Sequence, residues 1–260
     1  MPRILTYNVH RFVGTDRRLS AARTAEVIAA CEPDIVALQE ARMGRGRKGA
    51  EDQAAMVARY LGMDLHFEPT FGVFGEQFGL AVMSARPMRR IKAGSLPTLP
   101  NRRPLEARKA LWVSVEVDGL ELHVVNTHLS LLSRRERQLQ AETLLGADWL
   151  GGRAEDGPAV LLGDLNTGAR SDAYRALAGA MQDVQLASDL PLQPTFHTRL
   201  PVRRIDHIFV SPTIEVMHAE ARRTPLARVA SDHLPLVADL RLPGEAPVRV
   251  PATLPQRAAA

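Results

Sequence analysis

Apolar runs that stop, again and again, on an acid, an amide or an imidazole constrain this chain more than any other feature. The clearest case is Val160-Leu161-Leu162-Gly163-Asp164-Leu165-Asn166. Its first three residues leave no polar side chain, as expected of a strand buried on both faces. Gly163 lets the backbone turn or be approached closely. Asp164 and Asn166 stand two residues apart, so they project to one side if the strand pitch persists. A carboxylate and an amide at the end of a buried strand need partners. Taken alone, the ending is an Asx turn that closes a strand. The same ending recurs, however: residues 3–7 run into Asn8-Val9-His10, 34–39 into Glu40, and 120–126 into Asn126-Thr127-His128. Ser231-Asp232-His233 then leads into a last strand at 234–240.

Helical stretches separate these strands. Residues 20–30 are alanine-rich, with Val27 and Ile28 on one side, and Pro33 stops them. Residues 51–61 place Ala54, Val57 and Leu61 on one face, with Gly62 as the cap. Ser133 and Glu136 form a capping-box pattern that opens a helix with the stripe Leu139, Thr143, Ala147 and Leu150, ended by Gly151-Gly152. Residues 171–178 read as a short helix. Further strands are expected at 78–83, at 111–117 with Asp118-Gly119 turning into the return strand, at 204–210, and at 214–217 as the neighbour of 204–210. The proline- and arginine-rich segment 85–103 reads as irregular. The Pro/Ala-rich tail 243–260 has little to bury and reads as flexible. No break resembles a linker, so residues 1–242 are expected to form one domain. Each half mixes strands and helices, and in each an early strand closes on Asn, Asn8 or Asn126. A layered α/β sandwich, two sheets face to face with helices outside, fits that count.

Composition narrows the chemistry. With Cys31 alone, the chain can hold neither an internal disulfide nor a cysteine-based zinc site. Lysine and arginine exceed aspartate and glutamate by 33 to 29, a weak preference for anionic partners. The glycine-rich basic stretch 42–49 reads as a solvated segment or as a flexible arm touching phosphates. It lacks the Gly-Lys-Ser/Thr of a phosphate loop. Met1 to Asn8 runs straight into a strand pattern with neither a signal-peptide core nor a membrane span, so a cytoplasmic monomer is the default expectation.

Asn8, Glu40, His128, Asp164, Asn166, Asp206, Asp232 and His233 all fall at strand ends, where sites form in layered α/β folds. Crowded carboxylates repel unless a cation or a proton intervenes. An oxygen-rich set without cysteine suits Mg²⁺ or Mn²⁺, ions that keep waters and share their site with substrate phosphate. A carboxylate with an amide beside it can orient and deprotonate water. Histidines can bind phosphoryl oxygens or pass protons.

Six motifs, Tyr-Asn-Val-His, Leu-Gln-Glu, Asn-Thr-His, Gly-Asp-Leu-Asn, Arg-Ile-Asp-His-Ile and Ser-Asp-His-Leu-Pro, occur in this order between Arg3 and Leu240. In that order they resemble the endonuclease/exonuclease/phosphatase superfamily, the DNase I-like fold. The resemblance implies a four-layer α/β sandwich and hydrolysis of phosphoesters assisted by a divalent metal. It implies Glu40 as the principal metal ligand, with Asn8 beside it and Asp232 as a further metal-side group. Asp164 would activate or orient the attacking water, with Asn166 steadying it and the phosphate. His128 would bind phosphate or donate a proton, and His233 would be the second catalytic histidine, oriented by Asp206. The general base stays open between Asp164 and His233. Arg108, before the strand at 111–117, would contact phosphate. Asn126 is expected to be structural, and His10, His197 and His207 to be structural or at the rim.

The substrate is less constrained. A phosphodiesterase or nuclease reading draws on the basic loop and the arginines between Arg86 and Arg108. Against it, no dedicated nucleic-acid module and no aromatic-rich stretch is present. A lipid head-group or small-molecule phosphodiesterase or phosphatase, sphingomyelinase-like or inositol-phosphatase-like, is the alternative. There Phe71-Gly72-Val73-Phe74-Gly75 would be an apolar loop at a membrane, against the plainer reading of a core-edge or lid loop. A phosphate-binding module without turnover is the third.

Overall fold

The structure, a computed structural model, describes residues 1–44, 52–100, 106–151 and 157–244. Most of the basic stretch 42–49, the arginines at 102 and 103 and the tail from 245 lie outside the described residues. In chain order the elements are β1 (Arg3–Asn8), a short 3₁₀ turn at His10–Phe12, α1 (Ala21–Ala29), β2 (Ile35–Met43), α2 (Gln53–Leu61), β3 (Asp64–Val73), β4 (Glu76–Ser84) and β5 (Met88–Ser95). They continue with β6 (Lys109–Val117), β7 (Leu120–His128), α3 (Arg134–Leu144), β8 (Ala159–Asp164), α4 (Asp172–Ala180) and β9 (Gln182–Asp183). Last come α5 (Val184–Ala187), β10 (Asp206–Val210), β11 (Glu215–Ala221), α6 (Ala227–Ala230) and β12 (Leu236–Arg241).

Two six-stranded sheets form, ordered β11-β12-β1-β2-β4-β3 and β5-β6-β7-β8-β10-β9. Each has one parallel pair at its centre, β1 with β2 and β7 with β8. Antiparallel neighbours flank each pair. The halves that each close an early strand on Asn correspond to the two sheets, except that β11 and β12 return from the second half to the first sheet. Alternation explains the unbroken apolar runs. Ile4, Ile35, Ala37, Val160 and Leu162 face the space between the sheets. Leu5, Val36 and Leu38 pack outward against Ala25 and Ile28 of α1 and Val57 of α2. Leu161 packs outward against Ala141 and Leu144 of α3 and Leu177 of α4. The result is helix, sheet, sheet, helix, the DNase I-like arrangement.

Asn126 crosses the central layer as a structural tie. Its amide nitrogen donates to the carbonyls of Leu38 and Ala81, each at 2.9 Å, and its oxygen accepts from Gln39 Nε2 at 2.8 Å. The helix signals at Ser133 and Gly62 hold: Ser133 Oγ accepts from the Glu136 N–H, and Gly62 adopts φ 66° at the end of α2. Glu136 directs its own carboxylate to Ser130 Oγ and the Leu99 N–H. The helix it opens stops at Leu144, short of Gly151, and buries Gln140, Ala141 and Leu144 in place of the expected stripe Leu139, Thr143, Ala147 and Leu150, whose last two members lie beyond its end.

Two expectations are corrected, and one strand was not anticipated. The segment 85–103 is not irregular throughout, because β5 pairs with β6. Asp64–Val73 is also a strand, although Pro69 interrupts it. Both are edge strands, where basic side chains and proline are tolerated and no alternating apolar pattern is required. The strand after Ile214 pairs with β12 in the first sheet and not with β10 in the second. Adjacency along the chain does not decide which sheet a strand joins.

Candidate active site

The strand directions bring the polar endings together. Parallel pairing places the end of β1, at Asn8, beside Gln39, although β2 does not stop at Glu40 as expected but runs on to Met43; the ends of β7 and β8 lie side by side, with His128 in register with Asp164. Strand β10 runs antiparallel to β8, so its first residue, Asp206, pairs with Asp164. Strand β12 runs antiparallel to β1, which returns residues 231–233 to the same end. The two sheets then meet through Asn8, whose amide nitrogen donates to Asp164 Oδ2 at 3.0 Å and to Glu40 Oε1 at 3.2 Å.

Local backbone geometry aims these groups. Between Leu38 and Ala41 the register of β2 on β4 shifts, and within that irregularity Glu40 has φ 54°. A bulge of this kind re-aims a side chain beside a site. Gly163 has φ 144°, and a Cβ there would lie 1.9 Å from the Thr127 carbonyl oxygen, so only glycine permits β7 and β8 to close at this point. The Asx turn is present too: the Asn166 N–H donates to Asp164 Oδ1 at 2.9 Å, with Asn166 at φ 51°. The turn that closes the strand is thus the device that sets the carboxylate.

Asp164 is buried, and burial first of all lifts its pKa to about 6. The neighbouring Asp206 adds to that lift, while His233 and the Asn166 and Asn8 donors oppose it. His233 sits between two acids, with Nδ1 2.8 Å from Asp206 Oδ2 and Nε2 3.7 Å from Asp164 Oδ2. Burial works against its charge, but Asp206 and Asp164 together outweigh it and push the pKa up to about 10. His233 is therefore an imidazolium at neutral pH. His128 behaves oppositely: burial, then Arg108 and His233, hold it well below the usual range. Asn166 Nδ2 lies 2.9 Å from its Nε2, so the neutral ring carries its proton on Nδ1, which has no protein partner.

Glu40 and Asp232 remain open to water, their side chains 21% and 25% exposed. Ser231 ties Asp232 and His233 to β1: its hydroxyl donates to the Asn8 carbonyl at 2.7 Å and accepts from the His233 N–H at 3.2 Å. As placed, Asn8 turns Oδ1 to the His10 N–H and its nitrogen to the carboxylates, so it positions Glu40 and Asp164. Offering oxygen to an ion would require its amide to turn over. The donor set suits a hard divalent cation. It is rich in carboxylate oxygens, and Asp206 Oδ1 is buried without a partner. One oxygen of Asp164, one of Asp206 and a nitrogen of His233 lie within 4.8 Å of one another. His233 is already held by Asp206, whereas Glu40 and Asp232 keep their carboxylates open to water.

Of the other residues singled out in the sequence, Arg108 lies close enough to His128 to depress its pKa and is 3.4 Å from Glu106. His207 is structural, bonded to Asp183 and the Thr167 carbonyl. His10 lies at the rim, 3.9 Å from Asp232. His197 makes local contacts, to the Arg199 N–H and to the Phe196 ring. Arg86, Arg89 and Arg90 are engaged by Asp34 and Asp118, by Glu121 and by Glu68. Sequence reasoning missed Arg11, 3.7 Å from Glu40, and Thr195, whose hydroxyl accepts from the Asp206 N–H at 3.3 Å. It also missed Phe196, whose ring packs on His233. Arg11 neighbours a quoted motif and was within reach of it. The loop carrying Thr195 and Phe196 has no pattern that would mark them.

The family model described as Endonuclease/Exonuclease/phosphatase family matches residues 5–233. No curated protein matches the sequence. Among solved structures, the chain is similar to an endonuclease/exonuclease/phosphatase from Beutenbergia cavernae. That similarity is 28% in identity with a TM-score of 0.77, over 94% of this chain and 72% of that one. It is also similar to a Bacteroides thetaiotaomicron mannosyl-6-phosphatase at 22% identity and a TM-score of 0.72, over 93% and 100% of the two chains. Similarity to the human Nocturnin catalytic domain with bound sulfate is 20% at a TM-score of 0.69, over 93% of each chain. At such identities the last two show the shared fold alone.

Proposed function

Because the chain belongs to the endonuclease/exonuclease/phosphatase family, we propose that it is a divalent-metal-dependent phosphoester hydrolase acting on phosphodiesters. The observation that carries this reading is the arrangement around Asp164. A buried carboxylate with a pKa near 6 is held by Asn8 and Asn166 against an imidazolium that Asp206 secures.

Glu40 and Asp232, with Asn8 positioning Glu40, would hold Mg²⁺ or Mn²⁺. When bound, such an ion supplies charge neutralisation at the phosphoryl and leaving oxygens. The chain's own residues do the rest. Asp164, ionised above about pH 6, accepts the proton of the attacking water, and Asn166 and Asn8 hold that carboxylate in one orientation. His233, already protonated, is no base at neutral pH. It donates from Nε2 toward the phosphoryl oxygen, with Asp206 keeping the charge on the ring. His128 is neutral, its Nε2 held 2.9 Å from Asn166 Nδ2 and 3.5 Å from Asp164 Oδ2, and lends the phosphate an uncharged polar neighbour beside the base. Arg108 approaches from the strand beside it as a phosphate contact.

A screen of DNA, RNA, nucleotides, inositol phosphates and phospholipids with Mg²⁺ or Mn²⁺ tests the reading. Turnover should appear on at least one ester, vanish on chelation and fall by about 10³-fold in D164N. Retained turnover in D164N would overturn the assignment of the base.

A second reading, a lipid head-group substrate, is favoured by one observation. Phe74, 98% exposed, forms the tip between β3 and β4. Three residue pairs in from that tip, the Phe78 ring carries Arg11 at 5.1 Å, which itself approaches Glu40. The hairpin therefore projects from the rim of the site. Sedimentation with phosphatidylcholine/phosphatidylserine vesicles should then recover the protein and lose it in F74S. A supernatant containing all the protein would remove this reading.

A further inference from the structure

A second basic cavity adjoins the site. It encloses about 440 Å³ and begins at Asn166, the amide that holds His128, a volume within the range of small-ligand pockets. Arg134 and Arg137 enter it from the first turn of α3, Arg170 from the loop before α4, and Arg203 from the segment before β10. Among the described residues, none of the four guanidinium groups is paired with a carboxylate. The one acid in the lining, Asp172, is engaged by Arg175 on its own helix.

Such a gathering is costly as it stands. Like charges around one cavity repel, and elsewhere on this molecule arginines find acids, as Arg3, Arg23, Arg89 and Arg90 do. Arg137 is the clearest case. It is 9% exposed, its Nη1 is used by the carbonyls of Ser130 and Leu131, and its buried Nε has no partner. Burial, then the nearness of Arg134 and Arg203, lowers its pKa. The first turns of α3 and α4 border the same space, so their N–H groups add positive potential. An anion with several oxygens would relieve all of this together, and arginine's planar fork suits phosphate above other groups.

We propose that this cavity is a second-phosphate subsite: it holds a phosphate, other than the one being hydrolysed, of a substrate that carries at least two. The inference rests on the phosphoesterase reading for the first phosphate. Asn166 is the shared wall, so a substrate with its scissile group beside Asp164 and His128 extends its next phosphate among the arginines. Arg134, Arg170 and Arg203, the exposed members, set the affinity, and Arg137 fixes the depth of the cavity.

Binding is tested without metal or turnover, by titration calorimetry of the full chain in chelator with inorganic pyrophosphate. The native protein should bind, and R134Q/R203Q should bind at least tenfold more weakly, with a shallower salt dependence. R134K/R203K should fall between them. Arg137 is left intact because its loss could unfold the loop at Ser130, and thermal melts of each variant check the fold. Undetectable binding by the native protein, or equal binding by R134Q/R203Q, overturns the subsite.

Turnover then identifies the source of the second phosphate. For R134Q/R203Q, kcat/KM on a 5′-phosphorylated dinucleotide or on a sugar bisphosphate should drop at least tenfold more than on bis(p-nitrophenyl) phosphate, through KM. The arm that drops names the class, and no differential loss in either overturns the proposal. A native protein that binds pyrophosphate but turns over no ester contradicts the phosphoesterase reading and leaves the anion site standing.

Discussion

Asp164 lies buried between an imidazolium and two amides, and its proton affinity follows from that position. Its carboxyl is lifted to about 6 and the His233 imidazole to about 10. In the proposed mechanism the first must be ionised and the second protonated, so kcat/KM should rise through about pH 6 and fall as pH approaches 10. In D206N the imidazolium loses its closest carboxylate, and the descending limb should move toward neutral pH. A pH–rate profile of the native protein and of D206N checks both limbs. An unmoved basic limb would assign it to another group. Stability carries the same signature. The His233 imidazole gains proton affinity on folding, so its contribution is fully present below its ordinary value near 6.5 and is lost as pH rises toward 10. The urea midpoint should decline between pH 7 and 10, and H233Q should flatten that decline.

Elements position these residues through a few backbone devices. The closing of β7 on β8 depends on Gly163, where any Cβ would strike the Thr127 carbonyl. G163A should therefore cost about 3 kcal/mol of stability, from strain at positive φ and from the clash, as read by urea denaturation. Asn126 ties the sheets at their centre, and N126A would leave the Leu38 and Ala81 carbonyls and the Gln39 amide without it. Leaving buried polar groups unpaired should cost about 3 kcal/mol. An N126A protein as stable as the native one would show that water or rearrangement replaces the tie. Edge strands behave differently. Strand β5 carries Arg89, Arg90 and Lys92, and β3 carries Pro69. A substitution on their exposed faces should move stability by less than about 0.5 kcal/mol.

At the scale of the whole molecule, the two sheets act as rails that deliver eight side chains to one end. No helix among the described residues is long and apolar enough to cross a membrane. In the proposed site the ion's acids, Glu40 and Asp232, come from β2 and from the segment before β12, far apart along the chain, so metal binding should stabilise the fold that joins them. At 100 times its dissociation constant, an ion adds about 2.7 kcal/mol. That corresponds to a rise in Tm of roughly 5–10 °C for a chain of this size. Differential scanning fluorimetry with Mg²⁺ or Mn²⁺ should show that rise, reduced in E40A and reversed by chelator. An equal rise in E40A would move the ion elsewhere.

Central strands were legible in the chain because a strand buried on both faces admits only apolar residues, so each reads as a run with a sharp polar stop. That regularity, and the six motifs at the stops, are enough to determine the layered α/β class and the candidate residues Asn8, Glu40, His128, Asp164, Asn166, Asp206, Asp232 and His233. Edge strands β3 and β5 were not legible, since one side of an edge meets water and its pattern dissolves into charges and proline. Only the tertiary structure decided which sheet β11 joins, that Asn8 faces the carboxylates with its nitrogen, and that His233 is charged while His128 is not. It also decided that four arginines from three separate segments line one cavity. A pKa and a pocket are sums over neighbours, and neighbours distant along the chain are set by the packing of the two sheets, which no local stretch of residues encodes.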